Sequence, residues 1–92
     1  MTKINYEIKV SGDKIVKVVK GYKAFEKFGF LFGVHKEENL WNTTELSTGY
    51  ATSKGYNTML QAIQETEKFL DKVGIELVES QVAKVSNYLR KA

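Results

Sequence analysis

The chain has 92 residues, a net charge of +3, 42% hydrophobic and 27% charged side chains, and neither cysteine nor proline. That size fits a single domain spanning residues 1–92 with one modest core. The absence of cysteine excludes disulfides, thiol catalysis and thiolate metal sites, and favours a cytoplasmic location. No apolar run approaches the ~20 residues that span a bilayer, and the charged, alternating N-terminus does not read as a signal peptide, so no membrane partner is expected.

Ile4, Tyr6, Ile8 and Val10 alternate with polar residues, which predicts a half-buried strand. Ser11-Gly12-Asp13 carries turn chemistry. Ile15 to Tyr22 reads two ways. Its β-branched Ile15, Val16, Val18 and Val19 favour a strand paired with the first. Yet Ile15, Val18, Val19, Tyr22 and Phe25 also share one face of a helix, with the lysines opposite. β-Branching and Gly21 disfavour the helix interior, so the strand is preferred. From Phe28 to Val34 aromatics alternate with small or branched residues. This predicts a strand ending near His35, with Phe28, Phe30, Phe32 and Val34 on one face and Gly29, Leu31, Gly33 and His35 on the other. Lys36 to Asn39 reads as a hairpin loop and Leu40 to Leu46 as the next strand, continued past a bulge by Tyr50 to Ser53; Gly55-Tyr56-Asn57 reads as a loop.

Thr58 and Gln61 have capping-box spacing, and Met59, Ile63, Thr66, Leu70 and Val73 follow at helical intervals up to Gly74. Val78, Val82, Val85 and Leu89 share a helical face, which predicts a second helix from about residue 78 or 80 to 90. Strands first and helices last give an α+β class: an antiparallel sheet of about four strands in the N-terminal half, with two C-terminal helices packed on it. Were residues 14–27 helical, the order would be β-α-β-β-α, close to a split βαβ unit.

Catalytic, cofactor and metal signatures are not found. His35 is the single histidine, and it reads as an exposed strand-end residue beside the loop that holds Glu37 and Glu38. The glycines form no phosphate-cradling loop, and the hydroxyls of residues 43–53 read as strand and turn residues. Charge is uneven: residues 1–38 hold eight lysines against five acids, with the excess in Lys14, Lys17, Lys20, Lys23 and Lys27. A lysine row of this kind guards a sheet edge or meets an acidic or phosphate-bearing partner. Arg90 is the sole arginine, which weakens base-specific recognition.

Lys27-Phe28-Gly29-Phe30-Leu31-Phe32 resembles the central motif of RNA-recognition-motif domains, but it lacks the first glycine and has Gly33 where the last aromatic belongs. Such a platform needs its rings facing solvent. Phe30 to Leu70 resembles HicB-type antitoxin domains through Phe32, Trp41, Leu46, Gly49, Gly55, Thr58, Ala62 and Ile63, although this chain has Glu45-Leu46-Ser47-Thr48-Gly49 in place of their proline-rich turn and carries an extra N-terminal hairpin. The expectation is a small non-catalytic binding protein of inhibitor or antitoxin-like character that meets a protein partner. The candidate surface is Lys14, Lys17, Lys20, Lys23 and Lys27 with Tyr22, Trp41, Tyr50 and Tyr56. The alternatives are a nucleic-acid-binding sheet using the lysines and an enzyme using His35. A homodimer formed through the last helix is compatible with each.

Overall fold

The computed structural model of the chain describes residues 1–10 and 15–91. Five strands come first: β1 (Lys3–Val10), β2 (Ile15–Lys27), β3 (Phe30–Glu37), β4 (Leu40–Glu45) and β5 (Tyr50–Tyr56). Helices α1 (Met59–Val73) and α2 (Ile75–Lys91) follow. The strands form one antiparallel meander in sequence order. The class is α+β, as the element order predicts, with five strands rather than about four.

The extra strand comes from the segment after Leu46. Glu45 is buried, and its carboxylate accepts from the Ser47 N–H at 2.8 Å, the Ser47 hydroxyl at 2.8 Å and the Thr48 N–H at 3.0 Å. The Gly49 N–H donates to the Glu45 carbonyl at 2.9 Å. These bonds fold residues 45–49 into a turn that reverses the chain, so Tyr50 begins a new strand rather than continuing past a bulge. β5 also runs on to Tyr56, through the segment expected to be a loop, because Tyr56 pairs with Trp41.

Residues 15–27 are strand, and β2 alone is thirteen residues long. The aromatic strand begins two residues later than its alternation implies. Phe28 (φ 56°) and Gly29 (φ 84°) form the two-residue turn between the pair Lys27 and Phe30. Glu38 (φ 51°) and Asn39 (φ 67°) do the same between β3 and β4. Such left-handed pairs match the twist of a tight hairpin, which is why the turn takes Phe28 out of the strand face.

Directly paired residues share a face. On one face, Val34, Ala62 and Ile63 form a core against α1, with Tyr22, Phe25, Trp41, Tyr56 and Met59 packed around it. On the other, Tyr6, Ile8 and Val19 form a second core with Ile4 and Leu46. This second core exists because the sheet curls. β2 pairs with β3 only as far as Tyr22 opposite Val34; beyond that point β2 pairs with β1 alone. At Gly21 a β-carbon would strike the Val34 carbonyl, and at Gly33 it would meet the Tyr6 ring at 2.8 Å and Leu46 at 2.9 Å. Glycine at both positions lets the β1–β2 hairpin fold across the inner face of β3 and β4. The Lys9 N–H then donates to the Gly49 carbonyl at 2.8 Å, joining β1 to the turn before β5. Each large apolar side chain buried in these cores contributes roughly 1.5–3 kcal/mol.

Thr58 caps α1 by accepting from the Gln61 N–H at 3.0 Å, and the Gly74 N–H closes the helix on the Leu70 carbonyl at 2.9 Å. α2 starts at Ile75, earlier than the valine stripe alone implies, and packs back against α1. No helix among the described residues is long and apolar enough to cross a membrane.

Candidate functional site

The lysines of β2 do not form one row. Lys17 pairs with Ile8 and Lys23 with Gly33, which places both on the inner-face side. Lys20 pairs with Asn5 and Lys27 with Phe30 on the helix side, and the register shift between Lys23 and Phe25 moves the alternation by one. Lys27 is tied to Asp71 of α1 at 2.6 Å, and Lys17 lies 3.4 Å from Glu37. Lys20 and Lys23 are exposed. Lys14 lies outside the described residues.

The aromatic candidates separate as well. Tyr22, Trp41 and Tyr56 lean on Val34, Ala62 and Ile63, so each ring is half-buried beneath the start of α1. The Lys36 ammonium sits 6.0 Å from the centre of the Trp41 ring. Phe32 is fully buried and stacks on Phe25 at 4.9 Å. The aromatic face of β3 is therefore core, and no row of exposed rings remains there. Tyr50 stands apart, on a groove of about 380 Å³ between the β4–β5 end of the sheet and the two helices. Its walls include Phe69, Val73, Leu77, Val78, Val82 and Val85. Three of the four stripe residues of the last helix thus face the chain's own sheet across an open groove; the Leu89 side chain lies outside the described residues.

Two surfaces come together that the sequence does not announce. The first is the outward side of the β1–β2 hairpin. Val16 and Val18 are 48% and 64% exposed, and Ile15 at its end is 54% exposed. Val16 pairs with Lys9, Val18 with Glu7 and Lys20 with Asn5. β-Branched residues left in water on a strand face and bordered by lysines make an apolar patch with a cationic rim. Next to it, Lys3, Asn5, Lys20 and Tyr22 line a shallow groove of about 460 Å³.

The second is a polar chain inside the curl. His35 is not an exposed strand-end residue: it is 3% exposed, because the hairpin folds over it. The Tyr6 hydroxyl lies 3.0 Å from His35 Nδ1. His35 Nε2 faces Glu37 Oε2 at 3.5 Å, within ion-pair reach but without hydrogen-bond geometry, and it has no other partner. Glu37 Oε1 in turn faces Lys17. Burial pushes the Tyr6 phenol up to about 12, against a smaller opposing effect of the Thr44 hydroxyl. Burial also lowers the His35 pKa; Glu37 opposes this, and the nearby Lys17 and Lys54 add to it. Glu37 is held below the usual carboxylate range, since its contacts with His35 and Lys17 outweigh its own desolvation. The Tyr6 hydroxyl donates to Nδ1 or accepts from it according to which ring nitrogen carries the proton.

Two hydroxyls that read as simple strand residues, Thr43 and the half-buried Ser53, meet Thr66 of α1 in a trio. Thr43 lies 2.7 Å from Ser53 and 2.9 Å from Thr66, Ser53 lies 2.6 Å from Thr66, and Thr66 donates to the Ala62 carbonyl at 2.7 Å. This trio ties α1 to β4 and β5. The sequence signal available for it was Thr66 on the apolar stripe of α1. Among the described residues no three His, Cys, Asp or Glu side chains gather as metal ligands. Comparison with protein-family models, with curated proteins and with solved structures finds no match to this chain.

Proposed function

We propose that this chain is a small non-catalytic protein-binding module, of inhibitor or antitoxin-like accessory character, that meets its partner through the outward side of the β1–β2 hairpin. The observation that carries this reading is the exposure of Val16 and Val18 beside Lys9 and Lys20. An apolar centre with a charged rim is the arrangement that excludes water at protein interfaces. The cysteine-free composition suits a reducing compartment such as the cytoplasm.

The test is affinity capture from the native host with three forms of the chain: wild type, Val18→Asp and Leu60→Asp. Leu60 is exposed and belongs to α1 rather than to the hairpin. A protein retained by the wild type and Leu60→Asp but lost with Val18→Asp supports the hairpin as the interface. The same proteins retained by all three forms would exclude it. Self-association of the wild type that Val18→Asp abolishes, read by sedimentation velocity, would identify a second copy of the chain as the partner.

A second reading has its own observation. The groove of Lys3, Asn5, Lys20 and Tyr22 offers two cations, an amide and a half-exposed ring to a phosphate-bearing single strand. It ranks second because Trp41, Tyr56 and Phe32 are engaged in the core rather than free to stack. Binding to mixed DNA and RNA oligonucleotides that weakens steeply between ~50 and ~200 mM salt would promote it, and no binding at the lower salt would remove it.

A further inference from the structure

We propose that the β1–β2 hairpin is an acid-released arm: protonation of His35 detaches it from β3 and reshapes the face that carries Val16 and Val18. The effect on binding rests on the protein-binding reading above, but the release itself does not.

The distal half of the hairpin has no backbone ladder to the rest of the sheet, since β2 and β3 cease to pair beyond Tyr22 and Val34. It is held by the apolar cluster of Tyr6, Ile8, Val19 and Leu46, by the Lys9–Gly49 backbone bond, and by two side-chain ties. One tie is the Tyr6 hydroxyl on His35 Nδ1, and the other is Lys17 on Glu37. Both ties meet the same segment of β3, and both depend on the state of His35.

The groups that face His35 are Tyr6 from β1, Lys17 from β2, Glu37 from its own strand and Lys54 from β5, with the uncharged Thr44 of β4 beside Tyr6. Protonation makes both ring nitrogens donors, Nδ1 toward Tyr6 and Nε2 toward Glu37. The Tyr6 hydroxyl then turns to accept from Nδ1, and the positive ring, 3% exposed, is shut from water by the hairpin that covers it. The new positive charge is attracted by Glu37 Oε2 and repelled by Lys17 and Lys54. Its favourable partner therefore lies on β3, while what it disturbs belongs to the hairpin. Glu37 is also shared: a stronger hold on His35 through Oε2 competes with the hold of Oε1 on Lys17. Protonation thus sets a charge beneath the hairpin that only lifting the hairpin returns to water.

Amide hydrogen exchange reads the release without any partner. In the wild type, the ratio of hairpin exchange to α1 exchange should rise about tenfold between about pH 7.5 and about pH 5.5, since both elements share the same intrinsic chemistry. His35→Gln stays neutral across this range, and its ratio should be flat. Should His35→Gln fail to fold, Tyr6→Phe serves: it removes one tie and keeps the buried ring, so its hairpin should exchange faster than the wild type near neutral pH and faster still in acid. A constant wild-type ratio, a Tyr6→Phe hairpin as protected as the wild type, or an acid response retained in His35→Gln would overturn the proposal. None of these results bears on whether a protein binds the hairpin, so the two readings fail separately.

Discussion

The two faces of this sheet are closed in different ways. On the α1 side the hydroxyls drawn toward the core have partners: those of Thr43, Ser53 and Thr66 bond one another and the Ala62 carbonyl. On the inner side the hairpin brings Tyr6 onto His35 and leaves Nε2 of that ring without a hydrogen bond. A satisfied buried network adds rigidity, whereas a part-satisfied one is a site where conditions decide the structure. The helix face is therefore the permanent half of the core, and the inner face is the conditional half.

The largest break in this contrast is Phe32→Ala, which empties the space beneath α1 and is expected to cost about 3–5 kcal/mol in urea unfolding. A loss under about 1 kcal/mol would show that the helix-side core is not the main support. Thr66→Val keeps the shape but leaves the hydroxyls of Thr43 and Ser53 only each other, so one proton of the pair loses its acceptor; a cost of about 1–3 kcal/mol is expected, with α1 amides losing protection first.

The pH test separates the two faces. The folded-state pKa of His35 lies below its unfolded value, so the unfolded chain binds the proton more readily. The stability this supplies is complete above the ordinary histidine value of about 6.5 and is lost as pH falls below it. Glu37, also lowered, adds a loss in the same direction further into the acid range. His35→Gln should flatten the first of these losses in a series of denaturation curves and lessen the second, since one of the two contacts that hold Glu37 down is gone. Thr66→Val should shift every curve by the same amount, because no proton is involved. The smallest effect is expected from Lys17→Ala. That pair with Glu37 is exposed on both sides, and its removal should change stability by about 0–1 kcal/mol, less at high salt. A loss of several kcal/mol there would mean that the hairpin is held mainly by charge.

Much of the architecture was legible in the residues. The Ile4–Val10 alternation, the β-branched run after residue 15 and the Thr58 cap are local signals, and each became the element it implied. The fifth strand was not legible, because the turn that starts it is built by the side chain of Glu45 reaching its own downstream backbone. Phe28 alternates correctly with Phe30 yet sits in a turn, because the hairpin register is set by the pairs on both sides and not by one strand's pattern. The lysines of β2 look continuous in sequence, but strand geometry sends Lys17 and Lys20 to opposite faces.

His35 and the hairpin surface mark the same boundary. By itself the sequence determined which segments alternate, where the helices begin to cap and that the chain has one histidine, because these follow from neighbours a few residues apart. Only the tertiary structure decided that Gly21 and Gly33 let the hairpin curl. That curl buries His35 under Tyr6, twenty-nine residues distant, and leaves Val16 and Val18 in water. Burial and partnership depend on how distant segments cross, and no local periodicity encodes a crossing.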